Sequence, residues 1–231
     1  MANSNKNRKQ TEENFGQIEG SLSKAEQFYE DNKKTISIIL AVIIVIVLAI
    51  FAIQKLYIQP KENKAQVEIY KAQKLFNNGD YEKALTGDGV TYLGFEQIAD
   101  EYKITKTGKM ARYYMGICNL HLGEYQKAID NLKKFKSNDY FVYAMSKSAM
   151  GDAYVELGDY SSAISCYKRA ANIHENELTT PEYLKKLAIT YELAGDNKNA
   201  LAAYQEIVDK YPSSTTQIDA KKAIGRLQGI K

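Results

Sequence analysis

Apolar and polar residues fall into three regimes along this chain. From Thr35 to Ile53 no residue is charged, and 14 of the 19 positions are Ile, Leu, Val or Phe. As a helix this stretch spans roughly 29 Å, the thickness of a bilayer's hydrocarbon core. Each large apolar side chain favours insertion by about 0.5 kcal/mol. Residues 35–57 therefore read as a single transmembrane anchor; a cleavable signal would begin earlier and end on a small-x-small site. Ahead of it, Met1–Gln10 is polar and reads as disordered. Phe15, Ile18, Leu22, Ala25 and Phe28 or Tyr29 then step by three and four, one face of a helix, although Gly16 and Gly20 each weaken it by about 1 kcal/mol relative to alanine. That face is either a docking surface or a solvated lead-in, and residues 1–34 form a tail with a weak amphipathic helix. Residues 61–231 make the third regime. Paired helical segments cover about 62–77 with 81–85, 92–102, 108–136, 142–173 and 181–211, and a last helix over 215–227 carries the stripe Ile218, Ala223, Ile224 and Leu227.

One pattern inside the third regime is stated twice. Gly116, Leu122-Gly123, Tyr125 and Ala128 recur 35 residues later as Gly151, Leu157-Gly158, Tyr160 and Ala163. Gly116 and Gly151 lie where two helices of a pair would cross, and a residue without a side chain lets the backbones approach. Gly123 and Gly158 follow the last apolar residue of a first helix, where a left-handed cap is cheap for glycine. Ala188, Gly195 and Ala200 repeat the spacing once more, and Ala72, Gly79-Asp80-Tyr81 and Ala84 precede it. The step from Gly79 to Gly123 is 44 residues, which predicts an insertion near Thr86-Gly87-Asp88-Gly89. This pattern resembles the tetratricopeptide repeat (TPR) family. The resemblance implies an all-α solenoid of about four helical pairs plus a C-terminal capping helix. Phe135 departs from it, standing where a small residue is usual.

The net charge of +3 is too weak to imply nucleic acid as a partner. Cys118 and Cys166 lie 48 residues apart, outside redox or zinc spacing. His121 and His174 have no ligand partners at metal spacing, and no nucleophile elbow, P-loop or dinucleotide fingerprint is present. The reading is of a non-enzymatic protein without cofactor, metal or small-molecule substrate.

The resemblance implies a concave groove lined by the first helix of each pair. Carried over by position, its protein-binding lining is Ile69 and Phe76, then Tyr113, Ile117, Leu120 and His121, then Ser148, Asp152, Val155 and Glu156, then Lys185, Ile189, Glu192 and Leu193. The apolar members suit an extended or helical polypeptide segment, unless the first hairpin or the terminal helix covers them. The layout of tail, anchor and repeats, with Tyr81-Glu82-Lys83-Ala84-Leu85, a glycine-rich break and Gly94-Phe95-Glu96-Gln97-Ile98-Ala99, is similar to the YfgM-like ancillary translocon subunits of Gram-negative bacteria. That resemblance implies an inner-membrane protein with a cytoplasmic N-terminus and a periplasmic TPR domain. Its implied partners are translocon subunits, a membrane-anchored folding factor and nascent secreted chains. Lysines flanking the span balance at close range, and only Lys6, Arg8 and Lys9 tip the tail inward. An import receptor with a cytosolic TPR domain and an assembly factor for another envelope complex are the alternatives.

Overall fold

The structure, a computed structural model, describes the backbone of residues 2–229 and the side chains of residues 27–229. The chain divides after Tyr57 into two compact units. The first unit is helical: α1 runs Ala2–Ile53 and passes into a π turn at Gln54–Ile58. Helix replaces the disorder expected here over Ala2–Gln10, a polar stretch with no proline or glycine to stop propagation. The stripe from Phe15 to Ala25 lies outside the residues whose side chains are described; Phe28 and Tyr29 are exposed. Ile38 to Ile53 presents its apolar side chains outward all round, and by length and composition this helix can cross a membrane. Pro60 follows the π turn at the start of the next helix. A proline ring clashes with the carbonyl four residues back, and widening the preceding turn relieves that clash.

The second unit is a stack of helical hairpins: α2 (Gln59–Asn77), α3 (Tyr81–Thr86), α4 (Phe95–Glu101), α5 (Lys106–His121), α6 (Tyr125–Lys134), α7 (Tyr140–Glu156), α8 (Tyr160–Ile173), α9 (Thr180–Leu193), α10 (Asn197–Lys210) and α11 (Gln217–Leu227). No strand occurs among the described residues; Gly87 and Leu93 make one isolated bridge. Four turns share one geometry. Gly79, Gly123, Gly158 and Gly195 have φ of 83°, 77°, 75° and 77°. The next residue's amide bonds back to a carbonyl five residues earlier, Glu124 to Asn119 and Asp159 to Tyr154, for example. These are the left-handed caps that the glycine spacing predicts.

The two crossing glycines are also explained. A Cβ on Gly116 would sit 2.4 Å from Leu132, and one on Gly151 would sit 2.6 Å from the Tyr167 ring. In the first pair the second helix is split. Helices α3 and α4 both pack against α2 and α5, and the chain leaves at Thr86 and returns at Gly94. A Cβ on Gly94 would meet the Thr86 carbonyl carbon at 2.3 Å, so the ends of the insertion are pinched together. Inside the loop the Asp88 carboxylate accepts from the amides of Val90, Thr91 and Tyr92 and from the Thr91 hydroxyl, and Lys71 donates to the Thr91 carbonyl. The departure at Phe135 has a simple cause. Helix α6 stops at Lys134, so Phe135 adopts an extended backbone and turns its ring inward, 5.5 Å from that of Tyr113. At the far end α11 covers the last pair with Ala220 and Ala223 buried and Ile224 and Leu227 partly so. Ile218, expected in that stripe, is 62% exposed: it lies about 200° around α11 from buried Thr216, on the face opposite Ala220 and Ala223.

Candidate functional site

Three first helices, α5, α7 and α9, enclose a cavity of about 430 Å³. Helix α5 contributes Tyr113, Ile117, Leu120 and His121, and α7 contributes Phe141, Met145, Ser148, Ala149 and Asp152. The far wall is Glu182, Tyr183 and Lys186 of α9 with Thr179 just before it. No residue of α2, α3, α4 or α11 lines it, so neither the first hairpin nor the terminal helix fills it. The floor is apolar and rests on Leu132, Ala149 and Met150.

Its polar groups are arranged unequally. Asp152 accepts from Lys186 Nζ at 2.8 Å to each oxygen and from the Tyr167 hydroxyl at 2.6 Å, which ties α7, α8 and α9 together and neutralises the wall. The Tyr167 phenol is held far above its ordinary range, by burial first and by Asp152 next. His121 stacks on Tyr81 with centroids 4.2 Å apart, which fixes the rim. Burial, with Tyr114 and Tyr183 beside it, pushes the Tyr113 phenol up to about 12. The Tyr183 hydroxyl is buried, with Thr179 as its polar neighbour.

Of the lining expected from sequence, Tyr113, Ile117, Leu120, His121, Ser148 and Asp152 meet in this cavity. Ile69 does not line a groove; it is a core residue, 6% exposed, beneath α3 and α4. Phe76 is spent in an aromatic cluster with Tyr81, Phe95 and Tyr114. Val155 packs against the C-terminal core, and Glu156 accepts from the Tyr125 hydroxyl at 3.2 Å. Ile189 and Leu193 are exposed but outside the cavity, Lys185 pairs with Glu182, and Glu192 is held by Tyr204 and Arg226. The sequence reading missed Phe141, Met145, Tyr183 and Lys186. Met145 was within reach, because it occupies the same place relative to Gly151 as Met110 does to Gly116.

Tetratricopeptide repeat family models match residues 142–213 and 110–139. The hairpin array is a tetratricopeptide repeat solenoid. A crystal structure of MamA superposes on it with a TM-score of 0.55, over 69% of this chain and 85% of that one, at 20% identity, a likeness of fold. Similar sequences include the photosystem I assembly protein Ycf3 of Synechococcus sp. (strain WH7803), 36% identical over 73 residues, or 32% of this chain and 39% of that one. Ycf3 of Prochlorococcus marinus (strain MIT 9211) is 38% identical over 62 residues, 27% of this chain and 36% of that one. The match thus spans less than two fifths of these relatives' length. Among the described residues no cluster of three metal-ligating side chains is present.

Proposed function

We propose that this protein is a non-enzymatic scaffold, held by residues 35–53 in a bacterial inner membrane with its N-terminus cytoplasmic and its TPR domain periplasmic. It holds translocon subunits, folding factors or emerging secreted chains close to the export site. The observation that carries the binding role is the open cavity between α5, α7 and α9, apolar on its floor and edged by exposed Phe141 and Met145. A soluble repeat domain gains nothing from leaving such a surface uncovered, and a polypeptide's apolar side chains match it in chemistry. The overall layout, similar to YfgM-like proteins, supports the location.

Full-length chain with Met145→Glu tests the reading by quantitative co-purification from crosslinked membranes, with unchanged helical circular dichroism as the folding control. Loss of translocon and folding-factor subunits from the variant is the expected result; an identical partner set would contradict the cavity as the binding site. A second reading, an assembly factor for another membrane complex, is favoured by the likeness to the photosystem I assembly protein Ycf3. In that case the subunits lost with Met145→Glu belong to one such complex. Protease added to spheroplasts should reach residues 61–231, and cleavage only from the cytosolic side would contradict the periplasmic placement.

A further inference from the structure

Helix α7 has a second face whose chemistry the cavity does not use. Tyr143, Lys147, Met150 and Tyr154 follow steps of four, three and four, opposite Phe141, Met145, Ser148 and Asp152. Lys147 is only 8% exposed. Its ammonium lies 3.7 Å from the Met150 sulfur and 4.7 Å from the centre of the Tyr143 ring, and it has no ion pair among the described residues. Arg169 of α8 approaches the same ring at 5.9 Å and donates to the Tyr143 hydroxyl at 3.4 Å. Lys133 of α6 lies 5.6 Å over the neighbouring Tyr154 ring. Neither Arg169 nor Lys133 has an ion pair among the described residues; burial pushes the half-buried Cys166 thiol up, and Lys147, Lys133 and Arg169 each oppose that rise.

The Lys133 contact recurs one repeat on as Lys168 over the Tyr191 ring at 5.5 Å, but the buried Lys147 does not recur. Gly158 corresponds to Gly195, 37 residues on, and by that step Lys147 corresponds to Leu184 and Tyr143 to Thr180. Leu184 is 4% exposed and fully apolar in the next pair. A lysine in a leucine's place loses hydration without gaining a counter-charge. An anion would supply one.

We propose that Lys147, Lys133 and Arg169 form an oxyanion site on the convex side of the third repeat, taking a phosphate group free in solution or on a lipid headgroup. A dianion fits three cations better than a single carboxylate does, and the Arg169 guanidinium supplies the planar fork that phosphate oxygens accept. Tyr143 aligns both Lys147 and Arg169 by their approach to its ring.

The test uses the full-length chain in neutral detergent, with Cys166 as the reporter read by peptide mass spectrometry after iodoacetamide treatment. Inorganic phosphate should slow Cys166 alkylation several-fold against chloride at equal ionic strength and pH. At tenfold excess over its Kd phosphate should raise Tm by about 3–6 °C. A separate arm compares phosphatidate with phosphatidylcholine nanodiscs, which separates a lipid headgroup from the free ion. Lys147→Leu, copying the next repeat, should fold and lose the response, and the more exposed Arg169→Gln gives a second variant that leaves the core intact. Equal rates and equal Tm in phosphate and chloride, with no effect of phosphatidate, would overturn the site. A response that survives both substitutions would overturn it equally.

Discussion

Substituting alanine at Gly151 and at Gly225 should move stability in opposite directions. Both glycines are helical, and in an exposed helix interior Gly→Ala stabilises by about 1 kcal/mol. Around Gly225 nothing lies within 4 Å of the new methyl group, so that gain should appear in full. At Gly151 the methyl group would sit 2.6–2.9 Å from three atoms of the Tyr167 ring. That ring cannot swing away, because it is 2% exposed and its hydroxyl is held by Asp152 at 2.6 Å. Overpacking of this kind costs about 1–3 kcal/mol, and loss of the charge-assisted hydrogen bond adds about 1.5–3 kcal/mol. Against the helix-propensity gain, the net for Gly151→Ala is a loss of about 1.5–5 kcal/mol, or roughly 3–20 °C in Tm for a domain of this size. Gly225→Ala should raise Tm by about 2–4 °C. Thermal unfolding followed by circular dichroism in detergent reads both. Adding Tyr167→Leu should make Gly151→Ala less costly, a coupling expected of residues in contact. A rise in Tm for Gly151→Ala, matching that of Gly225→Ala, would refute the close crossing of α7 and α8.

Three further outcomes follow from the polar contacts. Burial alone would raise the Glu62 carboxyl, but the Thr107 hydroxyl at 2.7 Å and amide at 3.1 Å outweigh it and hold it below its ordinary value. The stability it contributes is present above the unfolded glutamate pKa of about 4.3 and lost as pH falls through the lower folded value. Glu62→Gln should flatten that acid limb in pH-dependent denaturation, and an unchanged limb would contradict it. Arg226 donates to Glu192 at 2.6 Å while Tyr204 donates to the other oxygen at 2.8 Å, tying α11 to α9 and α10. Arg226→Ala should speed amide exchange in α11 more than in α7, at a cost of up to about 1 kcal/mol for so exposed a pair; uniform exchange would argue against local docking. Cys118 is fully buried and burial pushes its thiol up to about 12, so it should resist alkylation at pH 8 until the chain is denatured. Native labelling of Cys118 as fast as of Cys166 would contradict that burial.

The repeat period was legible because glycine and alanine mark backbone constraints that hold wherever the chain sits. Gly123 and Gly158 needed φ near +77° and +75°, and Gly116 and Gly151 needed a missing side chain. The insertion was legible as a lengthened step, though not its pinched base at Gly94. The groove was less legible. Position counting assigns each first helix the same lining register, but the cavity runs diagonally across them: it takes the later turns of α5, the first two thirds of α7 and the first two turns of α9. Tyr113, Ile117 and Leu120 were found because α5 fits the shared register. Ile189 and Leu193 fall outside because α9 meets the cavity nearer its N-terminus. Ile69 was misplaced for another reason: the split helix α3–α4 closes over α2 and turns a first-helix position into core.

On the proposed function, the cavity between α5, α7 and α9 holds a segment of another protein. Photocrosslinking in native membranes from Ile117 and Leu120, with exposed Lys127 of α6 as control, tests it most directly. Crosslinks to partner polypeptides from the two cavity positions and none from Lys127 are the predicted result. Crosslinks confined to this chain's own residues would contradict the claim.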